Sequence, residues 1–274
     1  MAQTILDRIL ADVRTEVDAA KYRRSAAELR SRAADLPPAL SLPGAIEREF
    51  GLIAEIKEKS PSVGRMREAN IARAAGVYQD SGIVRAVSVL TNFTHFGMSI
   101  ERLAEVRQIV AKPVLRKDFI IEEYQIREAR AFGADAILLM ASVLDAARLK
   151  GFYDLTRELG MQALFEVHSS EEILALPADA WVVGINSRKF KTTEGFAGNG
   201  SDSPRDFSVD LDTFELASQL PARTLRVAES GISAETIGRV TATFHAALVG
   251  TSLLRDERGI EAGVRAFEDA IISA

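Results

Sequence analysis

The chain has 274 residues, 47% of them hydrophobic and 27% charged, with a formal net charge of −5 and no cysteine. That length supports one large core, and the mild acidity excludes a global electrostatic footprint for nucleic acid. The lack of cysteine removes disulfides, thiolate metal sites and a thiol nucleophile together, and fits a reducing compartment.

The first residues, MAQTILDRILADVRTEV, do not read as a signal peptide, because acidic residues interrupt any apolar core. Ile5, Ile9, Val13 and Val17 instead fall four apart, which predicts an amphipathic helix. No apolar run approaches the roughly 18 residues needed to span a bilayer, so no membrane contact is expected and the cytoplasm is the expected address. A second helix is predicted around 26–34, stopped at Leu36-Pro37-Pro38, with Pro43-Gly44 as a further stop. Residues 1–45 therefore read as a helical extension of a single domain spanning 1–274.

Beyond residue 50 a regular alternation begins. Short β-rich apolar runs at 52–57, 85–90, 113–117, 135–140, 162–167, 182–186, 224–229 and 246–250 predict eight strands. Helical patterns at 71–79, 100–110, 123–132, 144–159, 211–220 and 260–272 lie among them. Strands alternating with helices imply parallel units, and eight of them fit an α/β fold of the (β/α)8 TIM-barrel type. An open doubly wound sheet is the alternative, disfavoured because no Gly-rich dinucleotide fingerprint follows the first strand. The stretch 191–208 is rich in Gly, Ser and Asp and has no period. It reads as a long loop at the barrel mouth, either a lid or a disordered insertion.

In such a barrel the chemistry sits at the C-terminal ends of the strands. Alternate residues of a strand share a face, so Glu55 and Lys57 point together. The same parity sends Lys117 inward with Leu115, leaving Arg116 and Asp118 to the helical shell. It also directs Glu166, Gly184, Asn186 and Glu229, with Arg188 just beyond, toward the rim. Two lysines and three carboxylates on one rim form a set able to keep a lysine protonated as general acid and a carboxylate as base. Any single pair read alone is equally a structural ion pair, and it is the convergence of five charges on four strands that favours chemistry.

Ser230 and Gly231 follow the seventh strand, and Gly250 and Thr251 follow the eighth, the two loops where this fold usually binds phosphate. Glycines let backbone N–H groups approach an anion, and helix N-termini favour negative charge. Ser60, within Ser60-Pro61-Ser62, is a candidate third wall. Phe96 and Phe119 lie just past the second and third strands, where they either flank a flat apolar group or belong to the core. His95, His168 and His245 have no metal-ligand spacing, so no metal is expected. His168 reads as structural, although it follows Glu166 closely.

At these residues the sequence resembles the indole-3-glycerol-phosphate synthase family. The matching stretches are 53–62 (IAEIKEKSPS), 88–91 (SVLT), 113–120 (PVLRKDFI), 165–168 (FEVH), 184–188 (GINSR), 227–232 (VAESGI) and 249–253 (VGTSL). They occur in order over nearly the whole chain, and the helical extension suits the family. The resemblance implies that 1-(o-carboxyphenylamino)-1-deoxyribulose 5-phosphate is cyclised, decarboxylated and dehydrated to indole-3-glycerol phosphate, without a cofactor. It implies Lys117 as the general acid on the carbonyl, and Lys57 as the group steering the carboxylate and serving as acid for dehydration. Glu55 and Glu166 are implied as proton acceptors or donors of the later steps, with their division of labour open. Asn186 and Glu229 would position hydroxyls and stabilise charge at the nitrogen. Ser60, Ser230, Gly231, Gly250 and Thr251 match the phosphate site, and Phe96, Phe119 and Arg188 the pocket around the ring. Two places depart from the family: 96–99 (FGMS) shuffles the usual residues, and 191–208 is longer than expected.

The nearest rival is a phosphoribosylanthranilate isomerase-like barrel, but that enzyme is expected to use a cysteine base, which this chain lacks. A non-catalytic barrel binding a phosphorylated ligand is the rival from another class, and it does not require the full lysine–glutamate set. The expected partner is a small phosphorylated substrate, with a monomer favoured.

Overall fold

The computed structural model describes residues 5–190 and 207–274. Its barrel strands are β1 (Gly51–Ile56), β2 (Val84–Leu90), β3 (Val114–Lys117), β4 (Ala136–Met140), β5 (Gln162–Val167), β6 (Val182–Asn186), β7 (Leu225–Glu229) and β8 (Ala246–Val249). Each pairs in parallel with the next, and β8 returns to pair with β1, closing the ring. Almost every strand residue is buried, because side chains fill the interior while helices cover the outside. That double burial makes the strands continuous apolar runs, against which a charged residue stands out.

The helices are α1 (Ile5–Arg23), α2 (Ala26–Ala34), α3 (Leu42–Ile46), α4 (Glu68–Asp80), α5 (Phe93–Phe96), α6 (Ile100–Ile109), α7 (Glu123–Ala131), α8 (Ala146–Glu158), α9 (Ser170–Leu174), α10 (Thr251–Leu254) and α11 (Ile260–Ile272). Along α1 the residues Ile5, Ile9, Val13 and Val17 are all buried, as their spacing predicts. Ser25 caps α2, its side chain accepting from Glu28 N at 3.2 Å. Among the described residues, no helix is long and apolar enough to cross a membrane.

Several local expectations change. Pro43-Gly44 does not stop a helix but lies within α3, where Ser41 Oγ accepts from Gly44 N at 3.0 Å. Proline in a first helical turn removes only an N–H that would have no partner there. Leu42 and Ile46 are fully buried beneath the strand starts, and Leu42 N donates to Gln162 Oε1 at 3.0 Å. The segment 211–220 is a 3₁₀ helix, Leu211–Gln219, rather than an α-helix, and only a 3₁₀ turn, Ile237–Arg239, separates β7 from β8.

Two small antiparallel strand pairs follow the C-terminal ends of β1 and β6, Lys59–Ser60 with Gly64–Arg65 and Arg188–Phe190 with Phe207–Val209. The second accounts for the end of the predicted loop 191–208, whose last two residues begin a returning strand. The remainder of that loop lies outside the described residues.

Candidate active site

The fourteen residues matched above to catalysis, phosphate binding or the ring pocket all border one cavity of about 320 Å³ at the C-terminal ends of the strands. Glu55 on β1 and Lys57 just past it form an ion pair, Nζ to Oε1, at 2.5 Å. On the facing side Lys117, the last residue of β3, reaches Glu166 Oε2 at 2.9 Å and Glu229 Oε2 at 3.5 Å. Asn186 Nδ2 donates to the other oxygen of Glu166 at 3.0 Å, and Asn186 Oδ1 accepts from Arg188 N at 3.0 Å. β5, β6 and β7 lie side by side with Glu166 level with Gly184, and Asn186 level with Glu229. Gly184 makes this packing feasible: a Cβ there would sit 1.9 Å from Glu229 Oε1.

Burial opposes the charge of Lys117, but Glu166, Glu229 and Glu55 outweigh it and hold the ammonium well above the usual lysine range. Burial also opposes ionisation of Glu166, and Lys117, His168 and Asn186 overcome it, leaving the carboxyl well below its usual range. Glu229 goes the other way. Burial first, then the charges of Glu166 and Glu55, push it up to about 8 despite Lys117. Beyond the 3.5 Å ion pair with Lys117, the oxygens of Glu229 meet no hydrogen-bond donor among the described residues, whereas protonated Glu229 can donate to Glu166. The two carboxyls are coupled, and their surroundings favour the proton on Glu229 over Glu166.

At one end of the cavity two turns face each other. Ser230 and Gly231 both take a φ of 68°, and Ser230 is the one non-glycine residue with positive φ among those described. Ser187 Oγ donates to Ser230 O at 3.0 Å and helps hold the turn in this costly conformation. Ser252 Oγ donates to Ile232 O at 2.6 Å, tying the β8 turn to the β7 turn. Gly250 and Thr251 open α10, and Ser60 completes the wall, its hydroxyl 3.2 Å from that of Ser62. Phe96, half-buried at the end of α5, and buried Phe119 border the same cavity, as does half-buried Arg188, whose charge is disfavoured by burial and supported by Glu55 and Glu166.

Sequence reasoning missed Ile9, Leu90, Leu138, Met140 and Ser252, which also border the cavity. Parity along β4 would have found Leu138 and Met140, since Met140 pairs in register with Glu166. Nothing in the helical period distinguishes Ile9, which faces the cavity, from its neighbours on the same stripe. Asp118 meets the shell as expected, bonded to Thr91 Oγ1 at 2.6 Å and Arg116 Nη2 at 3.0 Å, and also borders the cavity. His168 lies outside the cavity wall, behind Glu166, its Nε2 3.5 Å from Glu166 Oε1.

A closed (β/α)8 barrel with two lysines and three carboxylates around one strand-end cavity defines a barrel enzyme of the acid–base class. Solved structures with the same fold include 3-hexulose-6-phosphate synthase from Salmonella typhimurium, with a TM-score of 0.57 at 14% identity, over 81% of this chain and 99% of that one. Thiamine phosphate pyrophosphorylase from Pyrococcus furiosus matches with a TM-score of 0.55 at 12% identity, over 84% and 98%. At such identities the likeness concerns the fold alone. The sequence goes further: residues 6–266 match the family model for indole-3-glycerol phosphate synthase. Enzymes of that name from Mycobacterium avium (41% identical over 92% of this chain and 89% of theirs) and Kineococcus radiotolerans (40% over 93% and 91%) are among the relatives. The chain belongs to the indole-3-glycerol phosphate synthase family, carboxy-lyases of tryptophan biosynthesis.

Proposed function

We propose that this cavity cyclises, decarboxylates and dehydrates 1-(o-carboxyphenylamino)-1-deoxyribulose 5-phosphate to indole-3-glycerol phosphate, with Lys117 as the general acid of ring closure. The observation that carries this reading is the Lys117 ammonium, largely buried and flanked by Glu166 and Glu229 within one cavity. Ring closure needs a proton on the carbonyl oxygen as the ring carbon attacks. A lysine kept protonated by neighbouring carboxylates and bordering the cavity supplies it. Loss of carbon dioxide then returns the bonding electrons to the ring and restores aromaticity.

Lys57, paired with Glu55 near the mouth, steers the departing carboxylate and protonates the hydroxyl that leaves as water. Glu166, ionised and unable to relax away from Lys117 and Asn186, takes the proton lost at the last step. Asn186 and Glu229 position substrate hydroxyls and stabilise the positive charge that develops at the nitrogen, Asn186 through its amide oxygen and Glu229 through the carbonyl oxygen of its protonated carboxyl. Backbone N–H groups of the turns at Ser230-Gly231 and Gly250-Thr251, with Ser60, hold the phosphate. Phe96, Phe119 and Arg188 enclose the aromatic ring.

The same reading takes residues 1–274 as one barrel domain with 1–45 as its extension, acting as a cytoplasmic monomer on this small phosphorylated substrate. The place of Ile9 in the cavity wall supports treating the extension as part of the barrel. Incubating the purified protein with the substrate should produce indole fluorescence. Lys117→Ala should lower kcat by at least about 10²–10⁴-fold. A folded Lys117→Ala variant with near-normal turnover would overturn the assignment.

A further inference from the structure

His168 ends the FEVH stretch, one residue beyond β5, and is largely buried. Its two ring nitrogens face two carboxylates. Nε2 lies 3.5 Å from Glu166 Oε1, and Nδ1 lies 3.3 Å from Glu172 Oε2 on α9. Glu172 is itself fixed, because its Oε2 accepts the His168 backbone N–H at 2.7 Å and its own N–H donates to Ser169 Oγ at 3.3 Å. A neutral imidazole has one N–H and one lone pair, so in either tautomer it turns a lone pair toward an anion. Only the imidazolium offers a proton to both carboxylates.

We infer that His168 is a positioning residue for the reaction, held as an imidazolium by Glu172 and supplying Glu166 with a second cation opposite Lys117. The inference rests on Glu166 being the proton acceptor of the later steps. Glu166 is then clasped from three sides: Lys117 on one oxygen, Asn186 and His168 on the other. Two clasping cations keep it ionised and fix the direction of its lone pairs. Among the described residues, the groups that act on the imidazole include Glu166 from β5, Glu172 from α9 and Lys117 from β3. Burial lowers the His168 pKa, but the hydrogen bond to Glu172 and the charges of both glutamates outweigh burial and Lys117, and the net direction is upward.

The test uses the full-length enzyme with its substrate. His168→Gln should lower kcat by about ten- to a hundredfold, the range for losing one charge-assisted contact at a reacting group, with KM changed by less than about twofold because His168 does not border the cavity. The wild-type kcat should fall at basic pH as the imidazolium is lost. Glu229 also titrates, at about 8, so the His168 limb is recognised by its disappearance in His168→Gln and its move to lower pH in Glu172→Gln. A double-mutant cycle separates this role from simple capping of α9. The backbone N–H of residue 168 survives in His168→Gln, so a capping role would leave the Glu172→Gln effect intact there, whereas the positioning role makes it vanish. Overturning outcomes are a His168→Gln kcat within about twofold of wild type, a Glu172→Gln effect retained in the double variant, or no movement of the basic limb in Glu172→Gln. If His168→Gln fails to fold, the Glu172→Gln pH profile alone decides. Glu166→Gln keeps the two readings apart, since near-normal turnover there refutes the acceptor role while leaving the His168 contacts unquestioned.

Discussion

Glu229 is held toward its protonated form at pH values where exposed carboxyls have long lost their protons, and this has a thermodynamic signature. An unfolded glutamate ionises near 4.5, while the folded Glu229 does so only at about 8. Between those values the unfolded chain releases a proton that the folded chain keeps, so this residue makes stability fall as pH rises. Glu166 has the opposite sign: its lowered pKa adds stability above the unfolded value, lost as pH falls through the folded one. Glu229→Gln should therefore gain on wild type between pH 5 and pH 8, by on the order of a few kcal/mol. Urea unfolding of both proteins at the two pH values measures this, and a constant gap would mean that Glu229 is already ionised. At this scale the sequence was informative, since parity along β1, β3, β5 and β7 named the five charged residues. It was silent on which glutamate holds the proton, because that depends on Gly184 opening a space above β6 and on Asn186 reaching Glu166 rather than Glu229.

At the scale of elements, α1 does more than shield the barrel. Glu16 on this helix takes hold of the start of α5: its Oε1 accepts from Thr94 N at 2.9 Å and its Oε2 from Phe93 N at 3.3 Å. Asp12, one turn earlier, lies 3.0 Å from His95 Nε2. α5 ends at Phe96, on the cavity wall. Glu16→Ala should loosen that wall and raise KM by about fivefold, the equivalent of roughly 1 kcal/mol for a lost helix cap, while kcat changes little. Steady-state kinetics on the folded variant would show an unchanged KM if α1 only packs. The four-residue spacing of Ile5, Ile9, Val13 and Val17 foretold the helix and its buried face, but not the grip of its polar face on α5. Short elements were the weakest part of the sequence reading for the same reason: α3, α9 and the 3₁₀ segments lack the length over which a period can show itself, and are held by tertiary hydrogen bonds instead.

For the molecule as a whole, the two ends of the barrel divide stability from chemistry. At the bottom, Asp135 accepts from Leu40 N at 2.7 Å, Val114 N at 2.8 Å and Arg107 Nη1 at 2.7 Å, joining the extension, β3 and α6. Asp135→Ala would bury these donors without a partner and should cost about 2–5 kcal/mol of unfolding free energy, with kcat/KM unchanged below the transition. A large fall in kcat/KM in the folded variant would show the two ends to be coupled. This architecture was readable because eight doubly covered strands leave eight apolar runs, whereas closure was an inference from their number until the register of β8 on β1 fixed it. That seam has a consequence for synthesis. Ala54 pairs with Val249, so the wall that faces Glu55 is the last part of the ring to leave the ribosome. Until translation passes residue 250, a nascent chain holds β1 and its glutamate at an open sheet edge, exposed to wrong pairing and to chaperones, and a product that ends earlier lacks the Gly250-Thr251 wall of the cavity.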